Sequence, residues 1–435
     1  METERSPQVR IALRNCGHVD PGDINHYLAH GGYSGLSKAL RMTAEEVIEE
    51  VGRSRLRERS GNGFPVAEKW RLFFDAPGSE KVLICNAAEG DPNSLTGRTL
   101  LEGDPHSVLE GMAIGAYATG AGLGWIYINA EYGLAINRLK SALKQAEDHR
   151  FLGNHLLDSN VSFRIEVKEG AGKLACSDET FLINAIEGKQ TMPFVCASHP
   201  PISGLGDKPT LIHQAETWAH VSAVMEKGAE WYAGFGTEQS RGTKVLSLSG
   251  KVMHPGLIEV PMGIPLREMV YDIGGGLPDG KALKAIQVGG PTGGYLPASS
   301  LDLPMDYEHL SAAGAIMGSG SIRVIDGDGC IVDQAKCSLS FIQNESCGKC
   351  VFCREGTMQM AEILTDITEG RGKAHDIDLL LELGEGLKSG AQCDLGRTAA
   401  NPVLTAIRYF REELEAHIKE RECRARVCKT LEPSA

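Results

Sequence analysis

The sequence predicts an α/β domain, then a small β-rich domain, then a helical bundle. Three observations carry this. Strand-like and helical runs alternate between residues 81 and 187, the pattern of a mostly parallel sheet. Glycine and β-branched residues dominate 243–330. From 338 onward apolar residues recur at helical spacing around a C-x2-C-x2-C run. The chain has 435 residues, too many for one core, and we place the boundaries at 1–241, 242–330 and 331–435.

In order, residues 9–21 begin with a strand-like run, and 23–31 and 43–53 read as helices. Thr43 has the look of an N-cap, with Glu46 completing a capping box. A glycine-bearing loop, 59–65, comes next. Strands are predicted at 81–85, 124–129 and 162–168, and helices at 105–120, 132–148 and 181–187. Ligands of such sheets bind where loops leave the carboxyl ends of the strands, so loops 59–65, 86–93 and 169–180 are the candidates. The last opens the helix from Phe181, and a helix N-terminus after small residues suits a phosphate. In the β-rich part, strands are expected at 243–250, 256–260, 285–290 and 322–325, with a helix at 265–273 and a turn at Gly274-Gly275-Gly276. Met360, Ile363, Leu364 and Ile367 make one buried stripe, and Ile377, Leu380 and Leu381 start another. Asn401-Pro402 reads as an N-cap followed by proline. It opens a helix that buries Val403, Ile407, Phe410, Leu414 and Ile418.

The formal charge is −13, from 44 basic and 57 acidic residues, which argues against nucleic acid or an anionic membrane as the partner. No apolar run reaches the ~18 residues needed to span a bilayer. The opening residues carry no apolar signal core, so a cytoplasmic protein is expected. In that reducing compartment the 12 cysteines are better read as thiolate ligands than as disulfides.

Cys347, Cys350, Cys353 and Cys393 can hold a cubane iron–sulfur cluster. Structural zinc is the competing reading, but zinc sites usually come as two C-x2-C knuckles. Lys349 and Arg354 put positive charge beside the motif. A second set, His417, Cys423 and Cys428, is a candidate zinc site, with Cys330 as fourth ligand and Cys337 as second choice. The alternative there is a linker without metal. Cys16, Cys85, Cys176 and Cys196 stand singly and read as small buried hydrophobes.

Several runs together resemble the NADH-oxidising flavoprotein subunits of NADH dehydrogenases. They are Glu345–Thr357, Cys393-Asp394-Leu395-Gly396, Asn401–Leu404, Asn86–Pro92, Glu179-Thr180, Ser203–Leu205 with Lys208–Thr210, and Leu101–Ser107. That family comprises the large NADH-binding subunit of complex I and the β subunits of soluble NAD-linked hydrogenases, formate dehydrogenases and related multisubunit reductases. Glu89–Pro92 and Leu13–Gly17 favour the soluble branch. The resemblance implies a Rossmann-like FMN-binding domain, a small β-grasp (SLBB-type) domain and a helical bundle with one [4Fe–4S] cluster. It also implies zinc at the C-terminal set, as in some soluble hydrogenases.

By the same resemblance FMN and NAD(H) would be held by Gly61, Gly63, Phe64, Lys69, Asn86, Glu89, Asp91, Ser177, Asp178, Glu179, His213 and Gln214. The site departs from the family pattern. G-R-G-G-A-G-F-P becomes Glu58–Pro65, with Glu58, Ser60 and Asn62 as replacements. N-A-D-E carries Ala88 for aspartate, and A-Y-x-C-G-E-E-T carries Leu174 and Ser177. I-N-N-V-E-T becomes Ile212–Thr217, with His213 and Gln214 for the asparagines. The aromatic–proline stretch reads Ser198-His199-Pro200-Pro201. The expected function is an electron-transfer subunit of a soluble complex, passing electrons between NAD(H), FMN and the cluster. Hydride moves between cofactors, so no acid–base residue is expected. Ala88, Leu174 and Ser177 motivate an alternative, a relay or assembly subunit without flavin or NAD reactivity. Expected partners are a thioredoxin-like [2Fe–2S] subunit and a further iron–sulfur or catalytic subunit.

Overall fold

The computed structural model describes residues 8–61, 63–190 and 200–431, so Asn62, Cys196, Ser198 and His199 lie outside the described residues. The chain divides into two compact units. Most of the β-rich stretch lies with the bundle in the second unit.

The first unit is built on four parallel strands: β1 (Val82–Ala87), β2 (Leu123–Asn129), β3 (Arg164–Gly170) and β4 (Thr210–Gln214). Their spatial order is β3-β2-β1-β4. Val82 to Cys85 is a continuous apolar run, and all four residues are buried, as a strand covered on both faces requires. From β1 the chain winds one way to β2 and β3, then returns to place β4 on the other side. The winding therefore reverses between β1 and β4, and a ligand crevice is expected outside their carboxyl ends.

Two helices on this sheet meet at unusually close range. Pro105–Thr119 packs on Ala215–Lys227, and a Cβ at Gly111 would lie 1.9 Å from the Trp218 carbonyl oxygen. Only glycine fits there. The capping box at Thr43 and Glu46 forms as predicted. Residues 11–19 are turns, not the strand-like run expected from 9–21. The reason is electrostatic: the N–H groups of Ile11, Ala12 and Leu13 all donate to the buried carboxylate of Glu259, at 2.8–2.9 Å. Three consecutive donors aimed at one anion leave no strand ladder to form. Helices Ser34–Ala39, Val66–Asp75 and Thr96–Gly103 add to the reading. Of the single cysteines, Cys85 and Cys176 are buried and Cys16 is half-buried.

Strand β5 (Thr243–Gly250) begins in the first unit and ends in the second, and β6 (Gly256–Pro261) returns to the first. In the second unit the sheet runs on from β5 as β5-β9-β7-β8, with β7 (Leu283–Val288), β8 (Gly294–Pro297) and β9 (Ser321–Asp326). The end of β5 runs parallel to β9, whereas β7 is antiparallel to both β8 and β9. Gly275 and Gly276 form the predicted turn with φ of 73° and 76°. The bundle comprises Ile331–Glu345, Val351–Thr368, Asp376–Gly390 and Asn401–Glu415. Met360, Leu364, Ile367, Ile377, Leu380, Val403, Ile407 and Leu414 are buried in its core; Phe410 and Ile418 are only partly so. Asn401 is not the cap. The last helix starts at Asn401 with Ala400 before it, and the Asn401 amide donates to the Thr292 carbonyl at 3.1 Å. No described helix is long and apolar enough to cross a membrane.

His106 and His220 are buried in the first unit against Tyr33 and Tyr232, and burial holds their imidazoles down at about 4. In the unfolded chain each would titrate near ~6.5. Between those values the unfolded chain binds protons that the folded chain refuses. Stability is therefore fully present above about pH 6.5 and falls as pH drops, by on the order of 2–3 kcal/mol per histidine. The melting temperature of this unit should drop clearly from pH 7 to pH 5, and His220→Gln should flatten the dependence. Equal melting temperatures at the two values would contradict it.

Candidate functional site

The loops after β1 and β3 meet through Asn86 and the Cys176 carbonyl, and β4, the loop after β3 and Glu58 meet at one side chain. That side chain is Lys69, on the helix Val66–Asp75 and 9% exposed. Its Nζ donates to Glu58 Oε1 at 2.9 Å, Glu179 Oε1 at 2.5 Å and the Ile212 carbonyl at 2.7 Å. Burial opposes its charge, but Glu179 and Glu58 outweigh this and raise its pKa above the ordinary lysine value.

Glu58 also accepts from His213 Nδ1 at 2.5 Å. Trp70 Nε1–H donates into His213 Nε2 at 2.8 Å. That nitrogen therefore carries no proton, and His213 is neutral with its proton on Nδ1, towards Glu58. Burial lowers the His213 pKa in the same sense. For Glu58, burial opposes ionisation, but His213 and Lys69 prevail and bring its carboxyl down to about 2. Thr217 Oγ1 reaches Glu58 Oε2 at 3.4 Å, closing the network. Glu58 and Trp70 are not among the residues expected from the sequence. The available signal was that positions 58 and 213 depart from the pattern together.

The remaining candidates are placed as follows. Gly61 and Gly63 adopt φ of 57° and 68°, and the space where a Gly61 Cβ would point is open. Phe64 beside them is 43% exposed. Asn86 donates to the Cys176 carbonyl at 2.8 Å and accepts from Ala88 N–H at 3.1 Å, joining the second and third loops. Glu89 is turned inward at φ 44°. Its carboxylate accepts from Gly97 N–H (2.7 Å), Arg98 N–H (2.8 Å) and Ser94 Oγ (3.2 Å), capping the helix Thr96–Gly103. Burial nonetheless lifts that carboxyl to about 7. Asp91 is buried and accepts from Asn93 N–H. Ser177 is exposed, and Gln214 precedes the helix Ala215–Lys227 without capping it. Asp178 corrects the phosphate expectation. Its carboxylate already accepts from Thr180 and Phe181 N–H at 2.9 and 3.1 Å, so an anion at this helix start meets a like charge.

These residues fit a flavin. An aromatic face left open to solvent, a glycine turn with free space beside it and a buried ammonium lie at the strand ends of a parallel sheet.

The second unit carries two thiol sets. Cys350 is the residue before the helix Val351–Thr368, Cys353 lies in its first turn, and Cys393 precedes Asp394–Thr398. A Cβ on Gly396 would lie 3.6 Å from Cys353 Sγ, so the two helix starts meet at the cysteines. Both present their positive ends to whatever the thiolates hold, which suits an anionic cluster. Cys353 and Cys393 are buried, and Cys347 and Cys350 half-buried. Ser346 Oγ sits 3.3 Å from Cys353 Sγ. Arg354 pairs with Glu355 at 2.8 Å, so the positive charge read there from sequence is partly balanced.

Cys330, His417, Cys423 and Cys428 are all buried, and their ligand atoms lie within 4.8 Å of one another. Cys330 Sγ is 3.4 Å from His417 Nε2 and 3.8 Å from Cys428 Sγ. His417 Nδ1–H donates to the Glu413 carbonyl at 2.7 Å, which leaves Nε2 free to coordinate. Cys337 is exposed, bonded to Asp333, and outside this set.

Residues 51–223 match the Nuo51 FMN-binding domain family, and residues 333–417 match the iron–sulfur binding region of NADH-ubiquinone oxidoreductase-F. The chain is 49% identical over 429 residues to the NADP-reducing hydrogenase subunit HndC of Solidesulfovibrio fructosivorans, covering 99% of this chain and 87% of that one. It is 40% identical to an NADH-quinone oxidoreductase subunit of Rhizobium meliloti (strain 1021), covering 95% and 98%. Among solved structures, a chain of an NAD+-reducing [NiFe]-hydrogenase in the H2-reduced state superimposes with a TM-score of 0.82 at 30% identity, over 95% of this chain and 68% of that one. The chain thus belongs to the family of FMN- and [4Fe–4S]-binding electron-transfer subunits of NAD-linked oxidoreductases.

Proposed function

We propose that this subunit moves electrons between a nicotinamide nucleotide and iron–sulfur partners on other chains. The observation that carries the reading is that a flavin-suited crevice and a four-cysteine set at two helix starts occur on one chain. FMN supplies the exchange between hydride and single electrons. Phe64 offers the stacking face, and Gly61 and Gly63 let the backbone approach. Lys69 and Glu179 set the charge beneath, and Asn86 ties the second loop to the third. Glu89 and Asp91 hold the β1 loop in shape. The three parts 1–241, 242–330 and 331–435 remain our division of labour: nucleotide chemistry, a β-grasp spacer and the cluster bundle. Cys347, Cys350, Cys353 and Cys393 take the [4Fe–4S] cluster, and the onward acceptors are a thioredoxin-like [2Fe–2S] subunit and a further iron–sulfur or catalytic subunit. Thiols gathered into two candidate ligand sets support a reducing, cytoplasmic setting.

The protein purified without oxygen should show flavin absorption that NADH bleaches, and about four irons per chain. Cys353→Ser should lose most of that iron while keeping the flavin. A spectrum with no flavin contribution would refute the reading.

We assign Cys330, His417, Cys423 and Cys428 to zinc, for a complete N/S set without an open position is structural in kind. Metal analysis should find about one zinc per chain. Cys428→Ser should lose it, keep the iron, and lower the melting temperature of the bundle by roughly 5–10 °C. Full zinc content in that variant would disprove the assignment.

A further inference from the structure

Two departures from the family pattern touch each other under the flavin crevice. Glu58 stands where the family writes glycine and His213 where it writes asparagine. Their side chains meet at 2.5 Å, 155 residues apart in sequence. Both are buried. A glycine at 58 would offer Lys69 no side-chain acceptor, and its ammonium would keep one proton for another partner. With Glu58 present, the three protons of Lys69 meet three protein acceptors. His213 adds no positive charge, because Trp70 donates into its Nε2. The local set of Lys69, Glu58, Glu179 and neutral His213 thus carries one cation against two carboxylates.

We infer that Glu58, oriented by His213, is a positioning residue that cancels the charge of Lys69 and so lowers the potential of the flavin bound above it. Two-electron reduction leaves more negative charge on the flavin than one proton neutralises, and a nearby ammonium favours that state. A carboxylate seated on the ammonium removes the advantage. The reduced flavin becomes the stronger donor, suited to acceptors of low potential. The inference rests on FMN occupying this crevice.

The test is a redox titration of the flavin absorption in the whole protein, for the wild type, Glu58→Gln, Glu58→Gly and Glu58→Asp. Gln keeps the volume and a hydrogen-bond acceptor but not the charge, Gly restores the family residue, and Asp keeps the charge. Gln and Gly should raise the midpoint potential by at least a tenfold change in the equilibrium, about 30 mV for a two-electron couple. Asp should stay near the wild type. Flavin retained with no shift in Gln or Gly, or an equal shift in Asp, overturns the inference and leaves the flavin reading intact. Loss of flavin from both folded charge-free variants also overturns it, since Glu58 would then hold the cofactor and not tune it. A wild type without flavin fails earlier, at the reading of the site.

Discussion

A buried ammonium must be paired, and that requirement at Lys69 shapes the nucleotide end of this protein. Lys69 bonds the Ile212 carbonyl on β4, one of the two strands between which the sheet reverses its winding. Taking one such charge out of water costs several kcal/mol unless partners replace the lost hydration. The partners come from three separate segments: Glu58 before the glycine turn, Glu179 after β3, and the Ile212 carbonyl on β4. Each is thereby anchored to the same atom. The crevice walls are held in register by one cation.

The second unit meets a related problem with thiols gathered at helix starts. Its helix starts leave N–H groups without intrahelical partners, and thiolates at those starts need positive surroundings. Cys330 answers both needs at once, its Sγ accepting from Asp333 N–H at 3.4 Å, and Cys350 and Cys393 also stand just before helices. The Cys330 set brings the beginning of the helix Ile331–Glu345 together with residues 417–428, their ligand atoms within 4.8 Å of one another.

Much of this was legible in the sequence because it is local. Val82 to Cys85 is a strand by its own composition, Thr43 and Glu46 cap by their spacing, and Cys350 and Cys353 of the C-x2-C-x2-C run fall at a helix start. What the sequence hid is set by contacts between distant segments. Residues 9–21 carry strand-like side chains, yet the Glu259 carboxylate, some 250 positions away, takes their N–H groups and makes a turn. Asp178 accepts at the start of its own helix, and Glu89 does so at Thr96–Gly103. Capping by a near neighbour is visible in principle, but nothing along the chain says whether the neighbour or a ligand prevails.

The departures from the family pattern change meaning once their contacts are known. Taken one at a time, Glu58, Ala88 and His213 suggest an eroded site. In three dimensions the glycine-to-glutamate change at 58 and the asparagine-to-histidine change at 213 form a single buried pair, completed by Trp70 and Thr217. An unpaired Glu58 would be a costly buried anion, and a His213 without Trp70 could take a second proton. Each is tolerable because the others are present. At Ala88 nothing in the structure explains the alanine; its backbone carbonyl and the Asn129 amide lie so near Gly172 that a Cβ there would meet them at 2.7 and 2.2 Å. The second and third loops close together where the family keeps an aspartate. Random decay does not put two hydrogen-bonded polar groups together in the least forgiving part of a core. These contacts mark a site rebuilt around a different balance of charge.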